Sequence, residues 1–515
     1  MKVNVARWIV CAAACMAVGC SGLKRHICPS EQATVYASPS SEAVATGLQS
    51  DAVSQSKTGI NTPLDEDYAL RTQPVSQAAY AHQSSQAAGV VEPASVDVVM
   101  VDPVASPEAM ADGATLEELL SLAFANNPAI KELAATTQIA AGYRTQVGLY
   151  ANPMLGYQGQ QLADAGTDQH LLFVQQQIIT GDKRALNRAV LNEAVRAQVQ
   201  ELEAQKFRVA TDIKIAYYDS LRIQEQLASI DQFFELLKQG VNAAEKRMQA
   251  GEGSRIDLLQ TQVQIKQLEL DRRQLSASLS ARLREIVALA GMPNMQLQAV
   301  AGELPKLPAS QDWKAIEDGL VATSPEYAAA QARIRQASAA IRRQESQPLP
   351  NLSVQFGAGV DNSTDSGMMN VQVGAPIPVF NKNQGNIAAA RAEYCRAVQE
   401  AQRIDNAIRA RLAIASGDYA RAAEAVDMYL SELLPAAQET LDLAEGAYRA
   451  GEQDFIQLLV TRRTYFDTNL AYIAARAQLA TAQAQVDGYL LTGALNAVIN
   501  NSGDDSLRGL TLDQE

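Results

Sequence analysis

The sequence predicts a mainly α-helical protein with four short β-strands per chain, arranged as two similar halves. The motif Ala-Gly-Glu occurs at residues 250–252 and again at 450–452, so its two glycines lie 451 − 251 = 200 positions apart. A stretch without proline over 183–250 predicts one very long helix, and short segments of alternating apolar and polar residues predict strands. Two copies of one motif at this spacing predict a two-fold internal repeat.

The helix that leads into the first motif carries apolar or small residues in alternating steps of three and four. This heptad pattern is typical of a helix that supercoils against partner helices. Gly251 and Gly253 permit the chain to reverse, and Ser254 is placed to cap the returning helix. An ordinary coiled-coil hairpin would show the same pattern once, and the second copy favours a larger architecture. The seam consists of Ile213, Ala216, Ser220, Ile223, Leu227, Ile230, Phe234, Leu237, Val241, Ala244 and Met248.

Helix boundaries are marked in both halves. Thr115 and Glu118 form a capping-box pattern that opens a helix. Pro128 and Pro325 each predict a break followed by a new helix, and they lie 325 − 128 = 197 positions apart, close to the offset of the tips. Pro435 predicts a kink in the long helix of the second half.

The strands are predicted at about 152–180 in the first half and about 350–378 in the second. From Leu352 to Val360, every second residue is apolar and the others are serine, glutamine or glycine. This alternation fits a transmembrane barrel, and it fits a soluble antiparallel sheet equally well. Since membrane barrels have at least about eight strands, four strands cannot close one. Three chains would supply 3 × 4 = 12 strands, with four from each chain.

Composition excludes several function classes. The chain has 515 residues, of which 47% are hydrophobic and only 5% aromatic, as in proteins built from long helices. A net charge of −14 without a basic face argues against a nucleic-acid partner. No nucleophile, paired carboxylate site, phosphate loop or spaced set of metal ligands stands out, so we predict neither an enzyme nor a cofactor or metal site.

The N-terminus resembles a bacterial lipoprotein signal. Residues 1–20 begin with Lys2 and Arg7, continue through an apolar run, and end in small residues before Cys20. Acylation of Cys20 is therefore predicted, and the serine at Ser21 implies sorting to the outer membrane. A plain cleaved signal peptide is the alternative.

The chain divides into five predicted segments. In order, they are a signal peptide at 1–20, a low-complexity disordered tether at 21–113, a first repeat at 114–300 with its tip at about 250–255, a second repeat at 301–495 with its tip at about 450–455, and a polar tail at 496–515.

Several motifs occur in a fixed order along residues 115–493. They are Asn127-Pro128, Asn152-Pro153, Gly181-Asp182-Lys183-Arg184 and the two tips at Gly251 and Gly451. In this order and at this spacing, they resemble the TolC-like family of outer-membrane efflux proteins. The Lys-Arg pair after the second strand is more similar to the heavy-metal and drug efflux branch than to the protein-secretion branch.

The resemblance implies a homotrimer in outer-membrane lipid, whose 12-stranded barrel continues through the periplasm as a coiled-coil helical tunnel. Such a channel conducts substrates passively, and its tips dock a periplasmic adaptor that leads to an inner-membrane pump. The residues implied in docking are Gly251, Glu252, Gly253, Ser254, Gly451, Glu452, Gln453 and Asp454.

The sequence departs from the family near the second tip. Many relatives carry aspartates just inside it, where this chain has Gln457 and Val460. The nearest acids are Glu452 and Asp454, which a helix dipole would favour as ordinary helix-start carboxylates. In a trimer they would also place six negative charges near a narrowing, and this makes them candidate pore-aperture charges.

Two other protein classes fit parts of the sequence. A lipid-anchored periplasmic adaptor also presents a coiled-coil hairpin, but it would have one hairpin flanked by compact β-domains. A structural coiled-coil lipoprotein of the envelope would need no alternating strands.

Overall fold

The computed structural model describes residues 113–163, 166–249, 255–306 and 311–496. Several predictions lie outside these residues: the acylation of Cys20, the tether up to residue 112, the first tip at Gly251, Glu252, Gly253 and Ser254, and the tail after residue 496.

The first helices begin where their capping residues predict. Helix α1 spans Leu116–Asn126, and the Thr115 hydroxyl accepts a hydrogen bond from the Glu118 N–H while the Glu118 carboxylate accepts one from the Thr115 N–H. Helix α2 spans Pro128–Gln146, and the Asn127 side chain caps it. The predicted capping box and helix break are confirmed.

Two long antiparallel helices follow the first pair of strands. Helix α3 spans Lys183–Gln249, and its 67 residues give a rod about 100 Å long. Helix α4 spans Arg255–Leu289 and packs along it. The heptad seam is largely buried from Ile213 to Leu237, whereas Met248 is exposed near the end of the rod.

The second half has the same order of elements. Helix α5 spans Trp313–Thr323, α6 spans Pro325–Ser346, α7 spans Gln384–Met428, α8 spans Leu434–Ala450 and α9 spans Phe455–Asp487. A π-helical segment at Tyr429–Leu433 separates α7 from α8. It lies directly before Pro435, whose missing N–H and bulky ring break the α-helical hydrogen-bond ladder, so the predicted interruption is confirmed.

Helix α9 ends at Asp487, because left-handed backbone at Tyr489 and Leu490 does not continue the helix. The carboxylate of Asp212 on α3 then accepts the N–H groups of Gly493 and Ala494, at 3.0 and 2.7 Å. Burial raises the pKa of Asp212.

A buried arginine joins α9 to α3. Arg476 donates to the Leu304 carbonyl at 2.5 Å and forms an ion pair with Glu225 at 2.9 Å.

Within the described part of the chain, no helix combines the length and hydrophobicity needed to cross a bilayer.

The four strands form one antiparallel sheet in the order β1-β2-β3-β4. They are β1 at Met154–Gln160, β2 at Gln169–Ile178, β3 at Leu352–Asp361 and β4 at Ser366–Gly374. The described residues thus contain four strands, the number that the sequence predicts. The central pairing of β2 with β3 joins the first half of the chain to the second, in a register that runs from Gln169↔Asp361 to Ile178↔Leu352.

Candidate functional site

One face of the sheet exposes a continuous set of large apolar side chains. Residues opposite each other in an antiparallel pair share a face, and the register places Leu172, Phe356 and Val371 on the same one. Leu172 is 63% exposed and Val371 is 65% exposed, which is unusual for side chains in regular strands. The exposed apolar face consists of Leu155, Tyr157, Leu172, Val174, Ile178, Phe356, Val360, Met369, Val371 and Val373.

Besides Met154 and Met368, the opposite face carries two apolar side chains, Leu171 and Phe173, among polar residues and glycines. These two side chains lie over glycines, since a Cβ on Gly156 would overlap the Phe173 ring and a Cβ on Gly357 would meet Leu171 at 2.7 Å. Between them and the helices, the Gln175 amide donates to the Ser353 hydroxyl at 2.8 Å. This packing explains why the first pair of strands alternates less regularly in sequence.

Both edges of the sheet are open in the described chain. Strand β1 pairs only with β2, and β4 pairs only with β3. An open edge presents unpaired N–H and C=O groups, which cannot remain unpaired in lipid. The apolar face and the two open edges therefore require further strands if the sheet lies in a membrane.

The second tip is a tight turn closed by two backbone hydrogen bonds. Gly451 adopts φ +77°, in the left-handed region, and ends helix α8. The Glu452 N–H donates to the Ala447 carbonyl at 2.9 Å and the Gly451 N–H donates to the Tyr448 carbonyl at 3.1 Å, as in a Schellman motif.

The two acids of this tip have different environments. Asp454 caps helix α9, and its carboxylate accepts the Gln457 N–H at 2.8 Å. Glu452 is exposed. Among the described residues, neither carboxylate has a cationic partner within ion-pair distance, whereas the nearby Glu445 is paired with Arg449 and Arg462.

Phe455 anchors the second tip on the first hairpin. Its ring lies against Gly240 of α3, where an added Cβ would meet it at 3.3 Å. Further along, Phe233 of α3 stacks on Phe466 of α9 with ring centroids 4.5 Å apart. The geometry of the second tip is therefore coupled to the long helix of the first half.

An apolar groove lies between α4 and α9 beside the tips. It has a volume of 490 Å³. Its apolar lining consists of Ile256, Leu259, Val263, Ile456, Leu459 and Val460. The groove was not predicted from the sequence. A Leu-Leu pair follows each Ala-Gly-Glu motif, at 258–259 and 458–459, and its second leucine lines the groove in both cases, so these pairs are the signal that could have indicated it.

The described residues contain no cluster of three or more His, Cys, Asp or Glu side chains that could hold a metal ion. The candidate functional features of the described residues are the exposed apolar face of the sheet, the second tip with its two carboxylates, and the apolar groove between α4 and α9.

Comparison with known proteins relates this architecture to one family. Residues 319–491 match the family model of outer membrane efflux proteins. The cobalt-zinc-cadmium resistance protein CzcC of Cupriavidus metallidurans is 26% identical over 390 residues, which cover 75% of this chain and 91% of CzcC.

Solved structures share the fold. The outer-membrane channel OprN aligns with a TM-score of 0.62 at 17% identity, covering 74% of this chain and 90% of OprN. The outer membrane protein VceC of Vibrio cholerae aligns with a TM-score of 0.58 at 17% identity, covering 73% of this chain and 96% of VceC.

Proposed function

We propose that this chain, which belongs to the outer membrane efflux protein family and is an outer-membrane channel component of an efflux system, assembles as a homotrimer. The observation that carries the proposal is the sheet, with one exposed apolar face and two open edges. Three copies joined edge to edge would give 3 × 4 = 12 strands and close a barrel whose outer face meets lipid. The two-fold repeat would then supply twelve helical segments to a periplasmic tunnel.

The tips are proposed as the docking site for a periplasmic adaptor. The groove between α4 and α9 offers exposed apolar side chains at Ile256, Leu259 and Val460, and the carboxylates of Glu452 and Asp454 lie at the adjoining turn. An amphipathic helical hairpin, with apolar residues along one stripe, fits such a groove. The first tip, from Gly251 to Ser254, is proposed to serve the same role.

Two features oppose the other protein classes. An adaptor with a single hairpin would not need a second tip or a four-stranded sheet shared by both halves. A purely structural coiled coil would not need an exposed apolar face on strands. No catalytic step is assigned to this chain.

The cargo is proposed to belong to the heavy-metal and drug classes. CzcC is named for resistance to cobalt, zinc and cadmium, and this supports the metal class. A strain that lacks this chain should lose resistance to at least one metal ion or drug in a susceptibility panel, and the cloned chain should restore it. The purified protein should migrate as a trimer that heat dissociates. Unchanged susceptibility across the panel, or a monomer at every temperature, would contradict the proposal.

Cys20 is proposed to carry a lipid that anchors the chain at the outer membrane independently of the barrel. A Cys20→Ser variant should incorporate no palmitate and should still form trimers in the outer membrane. Labelling that persists in this variant would show that the lipid is not on Cys20.

The acids of the second tip are proposed to make the resting channel cation-preferring and of low conductance. Six carboxylates around one aperture would also bind trivalent cations from the periplasmic side and block the channel. Glu452→Gln combined with Asp454→Asn should weaken both the cation preference and the block. Since asparagine caps helices as well as aspartate does, the double variant keeps the turn that Asp454 forms.

Planar-bilayer recordings measure this effect. Glu445→Gln is a control for charge at the same end of the helices, because Glu445 is already paired with Arg449 and Arg462. An unchanged reversal potential and unchanged block in the double variant would place the filter elsewhere in the tunnel.

A further inference from the structure

A cluster of cations lies where the sheet joins the helices. Four chain segments meet there, at 144–151, 181–188, 342–351 and 377–384. They contain seven Lys and Arg residues and two acids, a net charge of 7 − 2 = +5, so the rest of the chain carries −14 − 5 = −19. We call these four segments the junction. The net positive charge of the junction contrasts with the net negative charge of the rest of the chain.

Direct contacts hold the four segments together. The Lys183 ammonium donates to the Leu349 carbonyl at 2.6 Å and to the Asn351 side chain at 2.9 Å. The Ser346 hydroxyl donates to the Gly181 carbonyl at 2.5 Å. The Asn383 amide donates to the Gln344 carbonyl at 2.9 Å. Since Arg184 of the second segment also lies over the Tyr150 ring of the first, the cations of all four segments belong to one structural unit.

Two cations of the junction are buried without a carboxylate partner. Lys183 and Arg343 both bond to neutral carbonyl or amide oxygens, and the partners of the Arg343 guanidinium are Asn187 and Gln347. Desolvation lowers the pKa of Lys183, and the nearby charge of Arg343 lowers it further. The interior of the junction therefore does not neutralise its own positive charge.

Two further cations reach the surface on one side of α3. The Arg184 guanidinium stacks on the Tyr150 ring, 3.4 Å from its centroid, and Arg188 crosses Gly148 in the same loop. In the described part of the chain, neither has a carboxylate within ion-pair distance. Four residues apart on one helix, they point to the same region of space.

The junction also carries several exposed apolar side chains. Tyr150 is 75% exposed, Ile377 is 83% exposed and Phe380 is 92% exposed, and Leu149 and Leu349 are also exposed. They lie in the segments that precede β1 and β3 and follow β4, at the same end of the antiparallel sheet as the arginines that follow β2. Aromatic and cationic side chains placed at the end of an apolar face are typical of a membrane interface, where rings lie at headgroup level and cations reach phosphates.

The other end of the sheet has the opposite charge. The two hairpin loops over 161–168 and 361–366 contain four aspartates and no Lys or Arg. Only the junction end therefore offers positive charge to a membrane surface.

We propose that the junction binds the phosphate groups of anionic phospholipids, with Arg184 and Arg188 as the contacting cations and Leu349, Ile377 and Phe380 against the acyl chains. The proposal rests on the outer-membrane location of the channel, and it names phospholipid of the periplasmic leaflet as the occupant. An acidic protein partner would not account for the exposed apolar side chains beside the arginines. Neutral phospholipid would not account for the unpaired charge.

Native mass spectrometry of the full chain, purified in detergent, tests the proposal. The protein is offered equal amounts of phosphatidylglycerol and phosphatidylcholine with identical acyl chains. The wild type should retain phosphatidylglycerol in preference. Arg184→Gln combined with Arg188→Gln should reduce that preference by about 30-fold, because each cation near an anionic surface contributes roughly a factor of five.

Matched variants separate local contact from total charge and from folding. Arg273→Gln combined with Arg284→Gln removes the same charge from exposed positions on α4, and it should leave the preference unchanged. Arg184→Lys combined with Arg188→Lys keeps the charge and should retain most of the preference. Glycerol phosphate, offered alone, should bind much more weakly than the lipid because it lacks acyl chains.

Each outcome has a distinct meaning. Equal retention of both lipids by the wild type would overturn the proposal, as would equal losses in the two glutamine double variants. Binding of glycerol phosphate as tight as that of lipid would show a free-phosphate site instead. A monomer that prefers phosphatidylglycerol would leave this proposal intact and contradict the trimeric channel, whereas a trimer without preference would do the reverse.

Discussion

Replacing Gly359 with valine is expected to eliminate the assembled channel from the outer membrane. Gly359 lies in β3 opposite Leu171, and a Cβ at this position would overlap the carbonyl oxygen of His170 on β2. The obstacle is backbone, so no rotamer change relieves it. Strand β3 must move away from β2, and the pairing that joins the two halves of the chain is broken.

Loss of this pairing has a large cost in a bilayer. Each backbone group left unpaired in hydrocarbon costs several kcal/mol, because no water replaces the lost partner. The register between β2 and β3 includes ten residue pairs, so even partial separation exposes several such groups. The outer-membrane fraction of cells that express Gly359→Val should therefore contain no heat-dissociable trimer.

Gly374 provides the matched control. It lies at the end of β4 in the same sheet, and a Cβ there would meet no atom within 4 Å. Gly374→Val should assemble like the wild type. If Gly359→Val also assembled normally, the β2–β3 pairing would not be the one that holds the sheet together in the membrane.

The helix starts and the strands could be predicted because their determinants are local. Thr115 and Glu118 are three residues apart, and their reciprocal hydrogen bonds form from those two residues alone. The alternation from Leu352 to Val360 likewise depends only on the two-residue period of a strand. Such signals do not require knowledge of the partner element.

The pairing order of the sheet could not be predicted in this way. Gln169 and Asp361 are paired although they are 361 − 169 = 192 positions apart, and nothing local specifies that β2 and β3 are neighbours. The placement of Leu171 and Phe173 over glycines depends on this pairing. In the sequence alone, Leu171 and Phe173 only make the alternation of apolar and polar residues in the first pair of strands less regular.

For the same reason, the parts of the candidate site that depend on local sequence could be predicted, and the parts that depend on the packing of distant segments could not. Gly451 was identified because a turn between two helices requires a left-handed residue, which a repeated glycine indicates. The groove between α4 and α9 depends on how two helices from different halves pack, so its lining was not evident. The buried partners of Arg476 include the Leu304 carbonyl, and a backbone acceptor 172 positions away leaves no sequence signal.

Gly451→Val is expected to abolish export while the trimer persists. Gly451 has φ +77°, and a β-branched residue in this conformation is strained by about 1–3 kcal/mol. A Cβ at Gly451 would meet no atom within 4 Å, so the strain is confined to the backbone and the turn can relieve it only by changing shape. That change would displace Glu452 and Asp454, and it would pull Phe455 from its contact with Gly240. The four-stranded sheet lies far from the turn at the other end of the long helices, and trimer assembly should therefore be unaffected.

Gly451→Asn is the matched variant, because asparagine tolerates the left-handed conformation far better than valine does. It adds a side chain of similar size but should preserve the turn and the docking of the adaptor. Both variants are introduced into a strain that lacks the chromosomal copy, and export is measured by restored resistance, with trimer levels measured in parallel. Valine should fail and asparagine should restore resistance at equal trimer levels. If valine restored resistance fully, docking through this turn would be wrong, and if asparagine failed as completely as valine, the added side chain rather than the backbone conformation would block the adaptor.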